Sequence, residues 1–227
     1  MAELYLVRHG QASFGAENYD ELSPSGRTQS RWLGEYFAQQ ALEFDCVVIG
    51  TMRRHEQTAD AILWAMRGLR IDVVQDADLN EYDFRALFAA RGECGEKEFA
   101  SGIAPESSPK HFYKVLKQTL QLWSEDRLPG DLPESWAQFQ TRVERARHAI
   151  QRMGRKRVLV VSSGGPISVF TQQILQAPAA ASIALNMQIR NSSVTHYVFN
   201  EQAMSLVSFN ALPHLDHADR REFVTYG

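Results

Sequence analysis

Three short apolar runs constrain this chain more than any other feature. Residues 3–7, 46–50 and 157–162 are rich in Val, Leu and Ile and do not alternate with polar residues. Such runs read as strands buried on both faces, which is the pattern of a mainly parallel sheet covered by helices. Helical patterns fall between them. Ser23 is a good N-cap with Pro24 at the first helical position, so a helix is expected over 24–40. Further helices are expected over 54–66 (closed by Gly68), 133–153, 166–176 and 178–185, with a third strand at 71–75. Segments 192–199 and 204–209 read as strands joined by a turn near 200–202, a hairpin. This alternation predicts an α/β fold, a three-layer sandwich with a mostly parallel sheet and at least one antiparallel strand near the C-terminus. The expectation is a single domain over 1–227. Residues 84–133 hold most of the Gly, Pro and Ser clusters and one convincing helix at 109–123. They read as an excursion from the core, a helical insertion that covers the site.

Composition excludes several function classes. Twenty-four basic and 27 acidic side chains leave a net charge of −3, so no global field draws the chain to nucleic acid or an anionic membrane. Two cysteines, Cys46 and Cys94, cannot build a disulfide framework or a cysteine-rich zinc site. Cys46, inside an apolar run, is expected to be a small buried hydrophobe. The first apolar run stops at Arg8 and is too short for a secretory signal, and no stretch approaches the roughly 20 apolar residues of a membrane helix. The expected compartment is the cytoplasm.

In sheets of this kind the loops after the carboxyl ends of the strands build the site. Arg8, His9 and Gly10 follow the first strand; Gly50, Thr51, Arg53 and Arg54 follow the second. Asn80, Glu81 and Asp83 follow the third, and Ser163, Gly164 and Gly165 follow the fourth. Arginine forks match phosphate oxygens. A Gly-rich helix entry offers backbone N–H groups to an anion. A histidine supplies a nucleophile or acid–base group, and a carboxylate supplies proton transfer. From residue chemistry alone this is a site for a phosphate ester.

Those residues stand in recognisable motifs. Leu-Tyr-Leu-Val-Arg-His-Gly at 4–10 resembles the signature of the histidine phosphatase superfamily, which includes the phosphoglycerate mutases. The segments 19–29, 54–59, 79–81, 160–167 and 191–195 resemble the family's further motifs in order. The resemblance implies that His9 is the nucleophile, forming a phosphohistidine. It implies that Arg8 and Arg54 clamp the phosphoryl oxygens and that Glu81 protonates the leaving alcohol. Gly10, Gln11, Ser163 and Gly164 are expected phosphate contacts, with Ser13 and Asn18 as weaker ones. No metal and no cofactor are expected. Bound substrate is expected to keep Glu81 protonated against the neighbouring arginines.

The chain also departs from the pattern. Ser163 stands where the family has a second histidine; a serine hydroxyl donates one hydrogen bond and carries no charge. Loss of such a donor costs about 10²–10³ in rate. His55 and His196 are the candidates to fill the gap, against the plainer expectation of a helix-surface residue and a strand residue with a local partner. Gly50-Thr51 replaces a usual Ser-Pro, and Phe14 and Gly15 replace a common tryptophan and asparagine. Lys110, Lys114 and Lys117 share a helix face and read as solvated, the alternative being a basic stripe for a polyanionic substrate. His214 and His217 read as part of a polar tail rather than a metal site.

The resulting expectation is a metal-independent phosphate monoester hydrolase, weakened by Ser163, acting on a phosphorylated small molecule or a phosphoprotein. The alternatives are a non-catalytic phospho-ligand or protein-binding member and a phosphoglycerate mutase-like phosphotransferase. Substrate and oligomeric state stay open at this stage.

Overall fold

The strand at Arg157–Ser162 carries the whole architecture. Val158 and Val160 are fully buried on one side of it, and Leu159 and Val161 on the other. A strand with two apolar faces must lie between two helical layers. The computed structural model describes residues 1–13, 20–67, 71–93 and 109–226. Among them the strands are β1 (Ala2–Arg8), β2 (Cys46–Ile49), β3 (Val73–Gln75), β4 (Arg157–Ser162), β5 (Val194–Phe199) and β6 (Met204–Ala211). They form one six-stranded sheet in the order β3-β2-β4-β1-β5-β6. The first four positions are mutually parallel, and β5 runs antiparallel to both β1 and β6.

The helices are α1 (Pro24–Gln39), α2 (Arg53–Ala65), α3 (Phe84–Glu93), α4 (Pro109–Ser124), α5 (Trp136–Arg152), α6 (Gly164–Ile174) and α7 (Ala179–Asn186). On one face Leu33 and Phe37 of α1 and Ile62 of α2 pack against Val7, Val47, Ile49 and Val161. On the other, residues of α3 to α7 pack against Leu4, Leu6, Val48 and Val160. Truncating one such buried leucine to alanine costs about 2–5 kcal/mol.

Local signals placed most of the ends. Ser23 Oγ accepts from Gly26 N at 3.0 Å, with Pro24 beginning α1. Ser135 and Gln138 make a reciprocal capping box that starts α5. The hairpin β5–β6 forms as expected, and Cys46 is buried. The expected closing residue Gly68, and with it Phe14, Gly15, Asn18 and Cys94, lies outside the described residues.

Three expectations change. Helix α6 begins at Gly164, two residues before Pro166, because a proline tolerates the first turn of a helix and does not have to open it. Residues 84–93 are helical, a second helix in the stretch read as an insertion, and the described helices of that stretch pack on the core. Leu87 and Phe88 of α3 and Val115, Leu120 and Trp123 of α4 belong to the same buried cluster as Leu4 and Val160. Composition over 84–133 was dominated by the Gly, Pro and Ser around these helices, which masked their apolar faces. The polar tail is only partly free: Asp216, His217 and Asp219 are exposed, but the segment is docked on the fold around them. His214 and Leu215 are buried, Phe223 meets Trp32 edge to face with centroids 4.8 Å apart, and Thr225 is hydrogen-bonded to Asn191.

Candidate active site

The parallel order puts β1 beside β4 and β2 beside β4, so the residues after these strands meet at one sheet edge. His9 leaves β1 with its backbone N–H on Ser162 O at 2.9 Å. Its side chain is buried. Nδ1 lies 2.7 Å from Gly10 O, which assigns the proton to Nδ1 as donor to that carbonyl. Nε2 then carries a lone pair and accepts from Arg54 Nε at 3.2 Å. Burial, followed by the charges of Arg54 and Arg8, holds the His9 pKa well below its ordinary value. The ring is therefore neutral at pH 7, with a nucleophilic nitrogen in the site.

Arg54 comes from the first turn of α2 and is 3% exposed. Its Nη1 donates to Asp20 Oδ1 at 2.8 Å and its Nη2 to Ser163 Oγ at 3.4 Å. Asp20 also accepts from Arg53 N at 2.9 Å, so one carboxylate orients the guanidinium and caps the helix that carries it. Arg53 itself lies outside the site in an ion pair with Glu21. Arg8 is held from behind: its Nη1 donates to Ile189 O and to Tyr226 O, both at 2.5 Å. Arg8 Nε is buried and has no hydrogen-bond partner among the described residues. A buried cationic donor without an acceptor is a place for an anion.

Glu81 reaches the N-terminus of α6, where Gly165 N donates to its Oε1 at 3.1 Å and Oε2 at 3.2 Å. A Cβ on Gly165 would stand 2.1 Å from Glu81 Oε1, so this contact requires glycine. Burial raises the Glu81 pKa, and it outweighs Arg54, the Gly165 hydrogen bond and Arg8, which act the other way. The carboxyl is biased toward its protonated form before any substrate arrives. Ser162 Oγ donates to Leu79 O at 2.7 Å and pins the Glu81 loop to β4.

Arg8, His9, Arg54, Glu81 and Ser163 thus converge as expected. Gly164 joins them: an added Cβ there would lie 3.8 Å from Arg8 Nε. Two of the expected phosphate contacts, Gly10 and Gln11, also make structural contacts. The N–H of Gly10 is committed to Thr58 Oγ1 at 3.1 Å, and its Cβ position is filled by Gly26 O at 2.4 Å. Gly10 is needed for close packing against α1. Gln11 donates its N–H to Gln29 Oε1 and accepts from Ser23 Oγ, both at 2.9 Å, so it ties β1 to the start of α1.

His55 corrects the plainer expectation. It is fully buried rather than on the helix surface, with Nε2 2.7 Å from Ser163 Oγ and its ring centroid 5.7 Å from that of His9. Burial, then the Arg54 charge, keeps it well below its ordinary pKa. His196 stays outside the site, stacked on Tyr5 and 3.3 Å from Glu3 Oε1. His214 meets Ser192 Oγ at 2.8 Å. No cluster of three metal-ligating side chains is found among the described residues. No helix among them is long and apolar enough to cross a membrane. Lys110, Lys114 and Lys117 are all exposed, as a solvated face requires.

The sequence pattern of the histidine phosphatase superfamily (branch 1) matches residues 4–212. The chain belongs to the histidine phosphatase superfamily. Phosphoglycerate mutase-like protein 4 of Arabidopsis thaliana is 27% identical over 226 residues, 95% of this chain and 87% of that protein. Two solved structures share the histidine phosphatase fold. The alpha-ribazole phosphatase of Shigella flexneri superposes with a TM-score of 0.64 at 20% identity, over 92% of this chain and 96% of that one. The phosphoserine phosphatase of Entamoeba histolytica, in complex with 3-phosphoglyceric acid, does so with a TM-score of 0.65 at 19% identity, over 95% and 100%. Superfamily members of this kind are phosphatases or mutases, which places this chain among enzymes.

Three parts of this histidine phosphatase site escaped the sequence reading. Asp20 stood inside a quoted motif, and a carboxylate one turn of loop before Ser23 was its only signal. Asn191, whose Nδ2 donates to His9 O at 3.3 Å, likewise lay in a motif without a role. Tyr226 contributes only a backbone carbonyl, for which no side-chain signal exists.

Proposed function

We propose that this chain hydrolyses a phosphate monoester of a small molecule through a phosphohistidine on His9, without a metal. The observation that carries this reading is the His9 tautomer, with Nδ1–H held by Gly10 O and the Nε2 lone pair beside Arg54 Nε. Nε2 attacks phosphorus as the bond to the leaving oxygen breaks. Glu81, biased toward the protonated form by burial, gives that oxygen its proton. Water then attacks the phosphohistidine, Glu81 takes a proton from it, and the P–N bond breaks to release phosphate and restore His9. Arg8 and Arg54 supply the positive charge that the phosphoryl oxygens need, the work a metal does in other phosphotransfer sites.

The test is hydrolysis of p-nitrophenyl phosphate between pH 5 and 8 in the presence of EDTA, with His9→Ala beside wild type. Turnover that vanishes in the variant, with an acid-labile phosphoenzyme trapped from wild type, supports the reading. Turnover that survives His9→Ala refutes it. Isomerisation of a phosphoglycerate without release of phosphate replaces hydrolysis by transfer.

A further inference from the structure

Ser163 Oγ has one hydrogen to give and two lone pairs. One lone pair takes Arg54 Nη2–H at 3.4 Å. The other faces His55 Nε2 at 2.7 Å. His55 Nδ1 is buried and has no hydrogen-bond partner among the described residues. A proton on Nδ1 would be an orphaned buried donor, which folded proteins avoid more strictly than an orphaned acceptor. The network therefore assigns the proton to Nε2, and His55 donates to Ser163. With both lone pairs filled, the Ser163 hydrogen needs an acceptor, and no described residue accepts it. Ser163 is the N-cap residue of α6, with an extended backbone, but its hydroxyl makes no cap bond to the helix; it shares the Arg54 guanidinium with His9 Nε2. The acceptor that completes this network is an oxygen of the phosphoryl group on its way to His9.

Gly50 belongs to the same arrangement. A Cβ at position 50 would lie 2.3 Å from His55 Nδ1 and 2.8 Å from its Cε1, so the ring stands where it does only beside glycine. Three positions where the chain departs from the family pattern or leaves a histidine unaccounted for, Gly50, His55 and Ser163, are thus one physical unit.

We propose that His55 is a positioning residue that holds Ser163 as a polarised hydroxyl donor to the phosphoryl oxygen, a neutral His–Ser pair doing the work the family resemblance assigns to a histidine at 163. The proposal rests on the phosphoryl-transfer reading of the site. Neutrality has a consequence. The pair strengthens binding of the charge-rich transition state by hydrogen bonding alone, and His55 acts only through Ser163.

The experiment is a double-mutant cycle on the full chain with His55→Phe, Ser163→Ala and the double variant. Gly50→Ala, alone and with Ser163→Ala, displaces the ring without deleting it and serves if the phenylalanine variant does not fold. Three quantities are measured: kcat and KM for p-nitrophenyl phosphate, affinity for orthovanadate as a transition-state mimic, and affinity for inorganic phosphate. Ser163→Ala is expected to lower kcat and vanadate affinity about 10²-fold, with KM and phosphate affinity within about threefold. His55→Phe or Gly50→Ala is expected to lower the same two quantities at least tenfold. Neither adds a further loss once Ser163 is alanine. Losses that multiply, or a His55 variant indistinguishable from wild type, overturn the pair while leaving hydrolysis intact. A wild type that binds vanadate with the non-additive pattern but turns nothing over supports the pair and refutes the hydrolase reading. A wild type that binds neither oxyanion overturns both.

Discussion

The guanidinium of Arg8 rests on the carbonyl of Tyr226, a partner 218 residues later in the chain. The last described residues are thereby part of the site's scaffold. Thr225 O accepts from Asn191 N at 2.9 Å, Thr225 Oγ1 bonds Asn191 Oδ1 at 2.9 Å, and Asn191 in turn reaches the His9 carbonyl. His9 and Arg8 are both braced by the C-terminal segment.

Removing residues 224–227 tests that brace. Hydrogen bonds to charged groups are worth about 1.5–3 kcal/mol and neutral ones about 1 kcal/mol. The truncated protein is expected to stay folded with a lower melting temperature, and to lose at least tenfold in kcat/KM for an aryl phosphate. Steady-state kinetics beside a thermal melt checks this, and unchanged kcat/KM refutes it.

Glu81 is expected to show its role in the leaving group. Nitrophenolate departs without a proton, whereas an alkoxide needs one. Glu81→Gln should lower kcat on an alkyl phosphate about 10²–10⁴-fold and on p-nitrophenyl phosphate much less. Gly165→Ala, whose Cβ would displace the carboxyl, should reproduce the same selectivity. The sign of the stability effect is also set. Burial raises the folded-state Glu81 pKa, so its contribution is present below the ordinary value of 4.5 and is lost as pH rises through the raised one. Glu81→Gln should therefore gain stability over wild type at pH 8, read from urea midpoints.

Acid should destabilise the protein through its buried histidines. Burial, then the Arg220 charge, depresses the His214 pKa from 6.5 to about 3. His9 and His55 are shifted the same way. Each contributes stability that is intact above pH 6.5 and drains as pH falls, because the unfolded chain takes the proton first. For His214 alone the loss by pH 3 is on the order of 5 kcal/mol, at about 1.4 kcal/mol per pH unit. His214→Gln should flatten the acid limb of the denaturation profile even if it lowers stability at pH 7.

Arg142 is expected to matter at a distance from the chemistry. Its Nη1 donates to Asp78 O at 2.8 Å and Asn80 O at 2.7 Å, and its other nitrogens form a fork on Glu134. This partly buried pair holds the turn that leads into Glu81. Arg142→Met should cost about 3 kcal/mol, since it leaves Glu134 and two carbonyls without their partner. It should also lower kcat on alkyl phosphates more than on aryl ones. Urea denaturation and the two substrates together separate the effects.

Much of this architecture is written in short stretches of chain. A strand such as Arg157–Ser162, a cap such as Ser23 and a proline at a first helical turn act over a few residues, so their signals are local. The same holds for which residues follow each strand, and a parallel sheet then gathers Arg8, His9, Arg54, Glu81 and Ser163 at one edge. The amphipathic faces of α3 and α4 were harder to see, since they match a core that lies far away in sequence. What only the tertiary structure decided were the partners. Whether His55 faces water or Ser163 depends on a glycine at 50 and a helix start at 164. Gly10 turns its N–H away from the site because Thr58 lies opposite. Arg8 finds Tyr226 because the chain's last segment returns to β1. The Gly10–Thr58, His55–Ser163 and Arg8–Tyr226 contacts join residues 48, 108 and 218 positions apart. Hydrogen bonds reward a side chain only for geometry that packing has already built, and that geometry is a property of the whole fold.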